Sequence, residues 1–207
     1  MVTVDEIRAA LERDPPEAAD FEPERRHAAV AMILADGADG LAACFIRRAE
    51  RAGDPWSGQV AFPGGRAERG DRDAAAVAER ETWEEIGLRL AHRHRIGPLP
   101  VQAVGRSGQP LGMTLSPFLY HVEPAARAIA HPRLRHEVAS VFWVPLRHLF
   151  DEQTTTELAY PHGGAVASFP GIRFESQVIW GLTLRVLGSF AGRLGRRLPA
   201  LGGDRLD

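Results

Sequence analysis

Residues 58–88 read GQVAFPGGRAERGDRDAAAVAERETWEEIGL, and this stretch contains the most informative pattern in the chain. Its apolar start and its Pro-Gly-Gly predict a strand and a tight turn, followed by a polar loop and a helix that ends at Gly87. In that helix Glu81, Glu84 and Glu85 are spaced i, i+3, i+4, so their carboxylates leave one face. Like charges at this spacing repel each other, and we expect a cation to offset the repulsion.

The acidic face of this helix has two interpretations. One is a solvated surface, as on most Glu-rich helices. The other follows from Val77 and Ala78, which precede the glutamates on the same stripe, and from Leu88, which continues it, so that the stripe is expected to face protein. Carboxylates turned inward are costly unless they are paired or bind metal. A hard divalent ion is the natural partner, and the three carboxylates should then converge on one point.

The turn and the helix ends carry the residues that such features require. Gly64 and Gly65 fit a sharp turn with positive φ whose carbonyls point inward. Asp71 or Asp73 is placed to cap the start of the helix with a side-chain oxygen. Gly87 fits the left-handed position just after the last helical turn.

These residues resemble the conserved box of the Nudix hydrolase family. The box reads Gly, five residues, Glu, seven residues, and then Arg-Glu-hydrophobe-x-Glu-Glu-x-Gly-hydrophobe. Residues 80–88 match its second half without a gap, and Gly65 matches its start. In this chain Thr82 replaces the hydrophobe, Asp71 replaces the first Glu, and residues 66–79 make the spacer one residue longer. The longer spacer with Asp resembles the coenzyme A pyrophosphatase branch of the family.

Three further segments resemble the same branch. They are Arg48-Ala49 followed by residues 58–65, Ser107-Gly108 before residues 115–118, and residues 178–183. Two positions depart from the upstream motif of that branch. Asp54 stands where the motif has arginine, and Trp56 stands where it commonly has histidine.

The resemblance implies hydrolysis of the diphosphate linkage of a nucleoside diphosphate derivative. Coenzyme A, cleaved to 3′,5′-ADP and phosphopantetheine, is the first substrate hypothesis. ADP-ribose, a dinucleoside polyphosphate or an oxidised nucleotide are alternatives. A ligand-sensing Nudix-like domain without turnover is a hypothesis of another class, against which the intact Arg80, Glu81, Glu84 and Glu85 argue.

The resemblance also implies roles for individual residues. Mg²⁺ or Mn²⁺ is the implied cofactor, and its implied ligands are the Gly65 carbonyl and the carboxylates of Glu81, Glu84 and Glu85. Arg80 would orient a carboxylate through an ion pair. The base that activates water is either a box glutamate or Glu137 in a later loop, and the other interpretation of Glu137 is a charged residue opening a strand.

Candidate substrate-binding residues are Arg47, Arg48, Arg51, Phe62 and Phe118. The three arginines end a predicted strand, where they are either a solvated edge or an anion-binding group. A later loop, residues 124–136, contains histidines beside arginines, which indicates either a solvated loop or a metal site.

Composition limits the classes of partner. The chain has 207 residues, of which 44% are hydrophobic and 25% charged, enough for one domain with a real core. A net charge of −2 gives no broad electrostatic field that would attract nucleic acid or a membrane. The resemblance to the Nudix family implies a small nucleotide as the partner. The single cysteine, Cys44, excludes an internal disulfide and is typical of a cytoplasmic protein. We find no signal peptide or membrane span, and the oligomeric state stays open.

Periodicity predicts the remaining elements. Predicted strands cover residues 27–36, 41–49, 94–104, 113–122 and 137–145, with a hairpin over 154–172. Predicted helices cover residues 3–13, 146–150 (a turn or short helix) and 174–194. Helices at the start, middle and end, with strands between them, predict an α/β fold, and the resemblance implies a Nudix-like α/β/α sandwich with a mixed sheet. We divide the chain into an N-terminal helix and linker (1–26), a Nudix domain (27–194) and a tail (195–207) that is expected to be frayed.

Overall fold

A computed structural model of the chain describes residues 1–16, 21, 26–54, 56–106, 109–162 and 165–202. Its helices are α1 (Val4–Arg13), α2 (Ala74–Ile86), α3 (Ala126–Ile129), α4 (Leu146–Leu149) and α5 (Gly181–Arg193). Its strands are β1 (His27–Gly37), β2 (Gly40–Arg48), β3 (Val60–Ala61), β4 (Gly64–Arg66), β5 (Arg95–Pro98), β6 (Gln102–Arg106), β7 (Gln109–Val122), β8 (Val138–Pro145), β9 (Thr155–His162), β10 (Ala165–Phe174) and β11 (Gln177–Trp180). None of the described helices is long and apolar enough to cross a membrane.

The strands form a mixed sheet of eight strands and an antiparallel sheet of three within the described residues. In the large sheet β1 pairs in parallel with β7 and antiparallel with β2 and β4. Strand β1 is central because it is an almost continuous apolar run, and Ala31, Met32 and Ile33 are fully buried. The smaller sheet consists of β9, β10 and β11, so the predicted hairpin over 154–172 is confirmed.

Alternate residues of the large sheet pack into two hydrophobic layers. Met32 and Leu34 of β1 face a layer that contains α1, α5 and the smaller sheet. Ala31 and Ile33 face the layer that contains α2. Because successive side chains of a strand point to opposite faces, one apolar strand serves both layers. The predicted α/β/α sandwich with a mixed sheet is confirmed.

The ends of α2 follow the sequence signals. The Asp73 side chain accepts a hydrogen bond from the Ala76 amide at 2.7 Å, so Asp73 is the cap. The other candidate, Asp71, binds the side chain of Arg80 instead. Gly87 ends the helix in the left-handed conformation, with φ of 73°, as predicted.

The C-terminal part of the chain differs from the prediction. The predicted helix over 174–194 is wrong in its first third, because β10 continues to Phe174 and β11 follows after a two-residue turn. Valine, isoleucine and tryptophan at 178–180 favour a strand, and α5 begins only at Gly181, where φ is 61°. The tail was expected to be frayed from about residue 196, but Leu198 and Ala200 are buried in the α5 layer.

Three smaller predictions also change. The predicted strand over 94–104 is two strands, β5 and β6. The predicted strand over 113–122 begins earlier, at Gln109, so Pro117 lies well inside β7. The predicted loop over 124–136 contains the short helix α3. The Ser107-Gly108 motif lies outside the described residues.

Gly64 is the position where the backbone tolerates no side chain. Its φ is +150°, and a Cβ there would lie 2.3 Å from the Ala29 carbonyl oxygen on the paired strand β1. We expect Gly64→Ala to lower the free energy of unfolding by about 2–4 kcal/mol, measured by chemical denaturation. Gly70→Ala is the control, since a Cβ there has no neighbour within 4 Å. Equal losses for the two variants would contradict this explanation.

Candidate active site

A cavity of about 620 Å³ lies between α2, β3, β4 and α5. Its charged lining comes from β2, β4, α2 and the loops beside them: Arg48, Arg51, Asp54, Arg66, Glu81, Glu85 and Glu137. Its apolar lining comes mainly from β6, β7 and α5: Val104, Met113, Leu115, Leu182 and Val186. One cavity therefore combines groups that bind ions with a surface that binds apolar chains.

Glu85 is the most buried of the helix carboxylates, with 2% of its surface exposed. Its Oε2 atom accepts a hydrogen bond from the Gly64 amide at 2.9 Å. Burial raises the pKa of Glu85 to about 8, and the hydrogen bond from Gly64 opposes this rise only in part. Burial also raises the pKa of Glu81, although Arg80 acts in the opposite direction.

Arg80 joins the acidic groups of the site. Its Nε and Nη2 atoms donate to the two oxygens of Asp71 at 3.1 and 3.0 Å. Its Nη1 atom donates to Glu81 Oε1 and Glu84 Oε2, both at 3.1 Å. Arg80 also donates to the carbonyl of Arg66 at 3.0 Å, and this bond ties α2 to the end of β4. One guanidinium group thus holds three carboxylates in position.

The expected convergence of the three helix glutamates on one point is not found. Among the described residues no group of three or more His, Cys, Asp or Glu side chains is arranged to hold a metal ion. The reason is that Glu81 and Glu84 turn to Arg80, whereas Glu85 turns to the amide of Gly64. Glu84 is also the outermost of the three, with 43% of its side chain exposed.

The donor chemistry of the site nevertheless fits a hard divalent cation. Glu81, Glu85 and Glu137 line the same cavity, and all of them offer carboxylate oxygens. A Cβ on Gly65 would lie 2.3 Å from Glu81 Oε1, so only glycine leaves β4 this close to the carboxylate.

The three candidate arginines do not act together. Arg48 and Arg51 line the cavity, whereas Arg47 projects from the other face of β2 and binds Glu50 at 2.6 Å. Arg48 donates to Asp54 Oδ2 at 2.8 Å, and Asp54 Oδ1 accepts from the Trp56 amide at 2.9 Å. Burial raises the pKa of Asp54, but the hydrogen bond from Arg48 and further charges outweigh burial and lower it overall. Asp54, which stands where the family motif has arginine, therefore forms an ion pair with Arg48 in the cavity wall.

The two candidate phenylalanines lie in different places, and one of them lines the cavity. Phe62 is buried in the cavity lining and stacks on Phe45 with ring centroids 4.9 Å apart. Phe118 packs on the α2 side of the sheet and is not part of the lining. Met113 and Leu115 of the same strand face the cavity. Side chains alternate between the two faces of a strand, and Phe118 lies three residues after Leu115, so its side chain projects from the opposite face of β7.

Glu137 reaches the cavity because its loop is bound to the end of α2. The amide of Arg133 donates to the Glu85 carbonyl at 2.8 Å, and Arg133 Nη1 donates to the Trp83 carbonyl at 3.1 Å. The Arg133 guanidinium lies 4.3 Å from the centre of the Trp83 ring, and Arg89 lies 3.8 Å from it. The amide of Ala49 donates to the Glu137 carbonyl at 2.8 Å, which ties the far end of the loop to β2.

The role of Arg133 is not evident from the sequence. The sequence indicates either a solvated loop or a metal site over residues 124–136, and neither interpretation describes an arginine side chain stacked on Trp83. The available signal was Trp83 itself, a large aromatic residue between the box glutamates on a helix surface.

The NUDIX domain family matches residues 25–163, and the chain belongs to this family of hydrolases. It is 33% identical over 181 residues to the human protein "Mitochondrial coenzyme A diphosphatase NUDT8", covering 85% of this chain and 73% of that protein. It is 27% identical over 179 residues to "Uncharacterized Nudix hydrolase NudL" of Photorhabdus laumondii, covering 86% and 89%. The crystal structure of a MutT/nudix family protein from Enterococcus faecalis shares the fold, with a TM-score of 0.58 at 16% identity over 97% of this chain and 74% of that chain.

Asp71 contributes to stability through Arg80, since its side chain is only 6% exposed. Burial alone would raise the pKa of Asp71, but the hydrogen bond from Arg80 outweighs it and lowers the pKa. A lowered folded-state pKa means that the stabilisation is complete above the unfolded pKa of about 3.9 and is lost as the pH falls through the folded value. We expect Asp71→Asn to lower the free energy of unfolding by about 1–3 kcal/mol at pH 7, with a deficit that shrinks below about pH 4.

Asp39→Asn is the matched control, because Asp39 pairs with Arg147 at 2.9 Å on an exposed surface. Asp39→Asn should lower the free energy of unfolding by less than about 1 kcal/mol. Denaturation curves at several pH values measure both variants. A deficit for Asp71→Asn that is the same at pH 3 and pH 7 would show that the ion pair is not its source.

Proposed function

We propose that this Nudix hydrolase cleaves coenzyme A at its diphosphate linkage, giving 3′,5′-ADP and phosphopantetheine, with Mg²⁺ or Mn²⁺ as cofactor. The observation that carries the proposal is the single cavity in which Glu81, Glu85 and Glu137 meet an apolar lining. A diphosphate with an attached pantetheine chain needs both kinds of surface. The human relative named as a coenzyme A diphosphatase supports the choice of substrate.

The carboxylates would hold the cofactor. Glu81, Glu84 and Glu85, with the carbonyl of Gly65, are the proposed ligands, and Nudix hydrolases generally use divalent metals. A divalent ion supplies charge that offsets the phosphate oxygens and lowers the pKa of a bound water. Arg80 keeps Glu81 and Glu84 in place through bonds of 3.1 Å each.

Glu137 is the proposed base. It faces the same cavity as Glu81 and Glu85 from the opposite loop, and it is half-buried. Arg51 lies 3.9 Å from one of its oxygens and places a cation beside the proposed base. Its position would let it take a proton from a water molecule aligned on the diphosphate.

The apolar side of the cavity would take the pantetheine chain. Met113 and Leu115 of β7 face Leu182 and Val186 of α5 there. The hydroxyl of Thr183 donates to the Val60 carbonyl at 2.9 Å, which fixes the start of α5 against β3. Hydrolysis of ADP-ribose or dinucleoside polyphosphates is the alternative, and a product assay over a panel of diphosphates distinguishes it.

We expect Glu81→Gln and Glu85→Gln each to lower kcat for coenzyme A by about a hundredfold or more while the fold is retained, because each removes a negative metal ligand. Glu79→Gln is the control on the same helix, since Glu79 accepts a hydrogen bond from the Tyr120 hydroxyl at 3.3 Å and glutamine can also accept it. Chelation should abolish activity, and Mg²⁺ or Mn²⁺ should restore it. Metal-independent turnover, or binding of every panel compound without cleavage, would reject the proposal.

Glu137→Gln separates the two candidate bases. If Glu137 is the base, kcat should fall by about 10²–10⁴-fold with little change in metal affinity. Metal titration followed by activity measures both quantities on the same preparation. Unchanged turnover would assign the proton transfer to a helix glutamate.

A further inference from the structure

A second cavity, of about 470 Å³, lies beside the first one. Gln59 and Val60 line both cavities, so the two spaces adjoin at these residues. Arg47, Tyr160, Gln177 and Trp180 contribute other parts of its lining. The family match ends at residue 163, so β10, β11 and α5 lie beyond it.

Consecutive arginines of β2 serve different cavities. Arg48 lines the first cavity together with Glu81 and Glu85, and Arg47 lines the second. Neighbouring residues of a strand point to opposite faces, which accounts for this division. Arg47 therefore supplies a cationic group to the second cavity, whereas Arg48, Arg51 and Arg66 belong to the first.

The smaller sheet gathers aromatic rings at the second cavity. The rings of Tyr160 and Trp180 lie 4.7 Å apart between centroids, and Phe169 lies 5.4 Å from Trp180. Gln59 and Gln177 add amides that both donate and accept hydrogen bonds. Aromatic rings, amides and an arginine are the groups that recognise a nucleobase and a phosphate.

We propose that the second cavity binds the nucleoside arm of the substrate, with a purine base against Trp180 and the phosphate on the ribose against Arg47. This inference rests on the proposed function and names a second binding region for the same substrate. The two cavities adjoin at Gln59 and Val60, so a substrate with its diphosphate in the first cavity would pass these two residues to place its nucleoside arm in the second. The second cavity also supplies a cation for the 3′-phosphate, namely Arg47. In the first cavity, Arg48 is already bound to Asp54.

Glu50 regulates how well Arg47 can bind a phosphate. It holds Arg47 at 2.6 Å, but 76% of its own side chain is exposed. Exposed ion pairs of this kind are weak, so a phosphate dianion can displace the carboxylate. Removing the charge of Glu50 should therefore strengthen binding of the phosphate.

Calorimetric titration of the full chain with 3′,5′-ADP and with 5′-AMP, in the presence of Mg²⁺, tests the inference. Wild type should bind 3′,5′-ADP about tenfold more tightly than 5′-AMP, and Arg47→Gln should reduce this preference to about twofold or less. Arg47→Lys should restore part of it, and Glu50→Gln should increase it. Trp180→Leu should weaken both ligands about equally, by about tenfold.

Matched controls are Arg147→Gln, another arginine paired with a carboxylate, and Val166→Ala, an exposed residue of the same small sheet. Both should bind the two nucleotides as wild type does. Trp180→Phe keeps a ring and tests the cavity if Trp180→Leu does not fold. An unchanged preference in Arg47→Gln, or unchanged affinities in the Trp180 variants, would overturn the inference.

Activity assays separate this inference from the proposed function. If the second cavity binds the nucleoside arm, Arg47→Gln should raise KM for coenzyme A more than for dephospho-coenzyme A. Cleavage of coenzyme A with equal KM changes for both substrates would overturn the second cavity and leave the proposed function intact. Nucleotide binding that depends on Arg47, without cleavage of coenzyme A, would support the cavity and overturn the function.

Discussion

The hydrogen-bonded ion pairs that the Arg80 guanidinium group makes with Asp71, Glu81 and Glu84 hold the site together. Several carboxylates at the junction of β4 and α2 repel one another and lose hydration as they are buried. Arg80 offsets both costs, because it binds Asp71 with two hydrogen bonds and also contacts Glu81 and Glu84. Its own pKa is raised, chiefly by the hydrogen bond to Asp71, so it remains charged. The fifth contact, to the Arg66 carbonyl, fixes the helix against the strand.

The approach of β4 to α2 provides the second constraint. Gly64 donates its amide to Glu85, and Gly65 lies against the carboxylate of Glu81. A side chain on Gly64 would collide with the Ala29 carbonyl of β1, and a side chain on Gly65 would collide with the Glu81 carboxylate. Because β4 pairs with β1, the glutamates are positioned relative to the central strand of the sheet. The metal chemistry that we propose therefore has a rigid support even though Arg80 now holds two of the carboxylates.

Loops and the C-terminal elements complete the cavity around this support. The Arg133–Trp83 stack brings the loop of Glu137 to the end of α2. The Thr183 hydroxyl holds α5 on β3, where its apolar residues close the other side. A cavity with an acidic side and an apolar side thus results from elements that are distant in sequence. This combination, more than the acidic helix alone, favours a substrate with a diphosphate and a long organic chain.

Local signals determined the features that depend on neighbouring residues. Helical spacing placed Glu81, Glu84 and Glu85 on one face of α2, and Gly87 marked the end of this helix. An apolar run identified β1. Each of these patterns reflects backbone geometry over a few residues, so the sequence alone was sufficient. Tertiary structure decided which groups meet. Arg80 attracts Glu81 and Glu84, Asp54 binds Arg48, and Phe118 faces away from the cavity, since these outcomes depend on strand pairing and on competition among charges brought together by folding. Residues 177–180 are a further example. Their apolar spacing is compatible with a helix or a strand, and they form a strand because they pair with β10 in the folded chain.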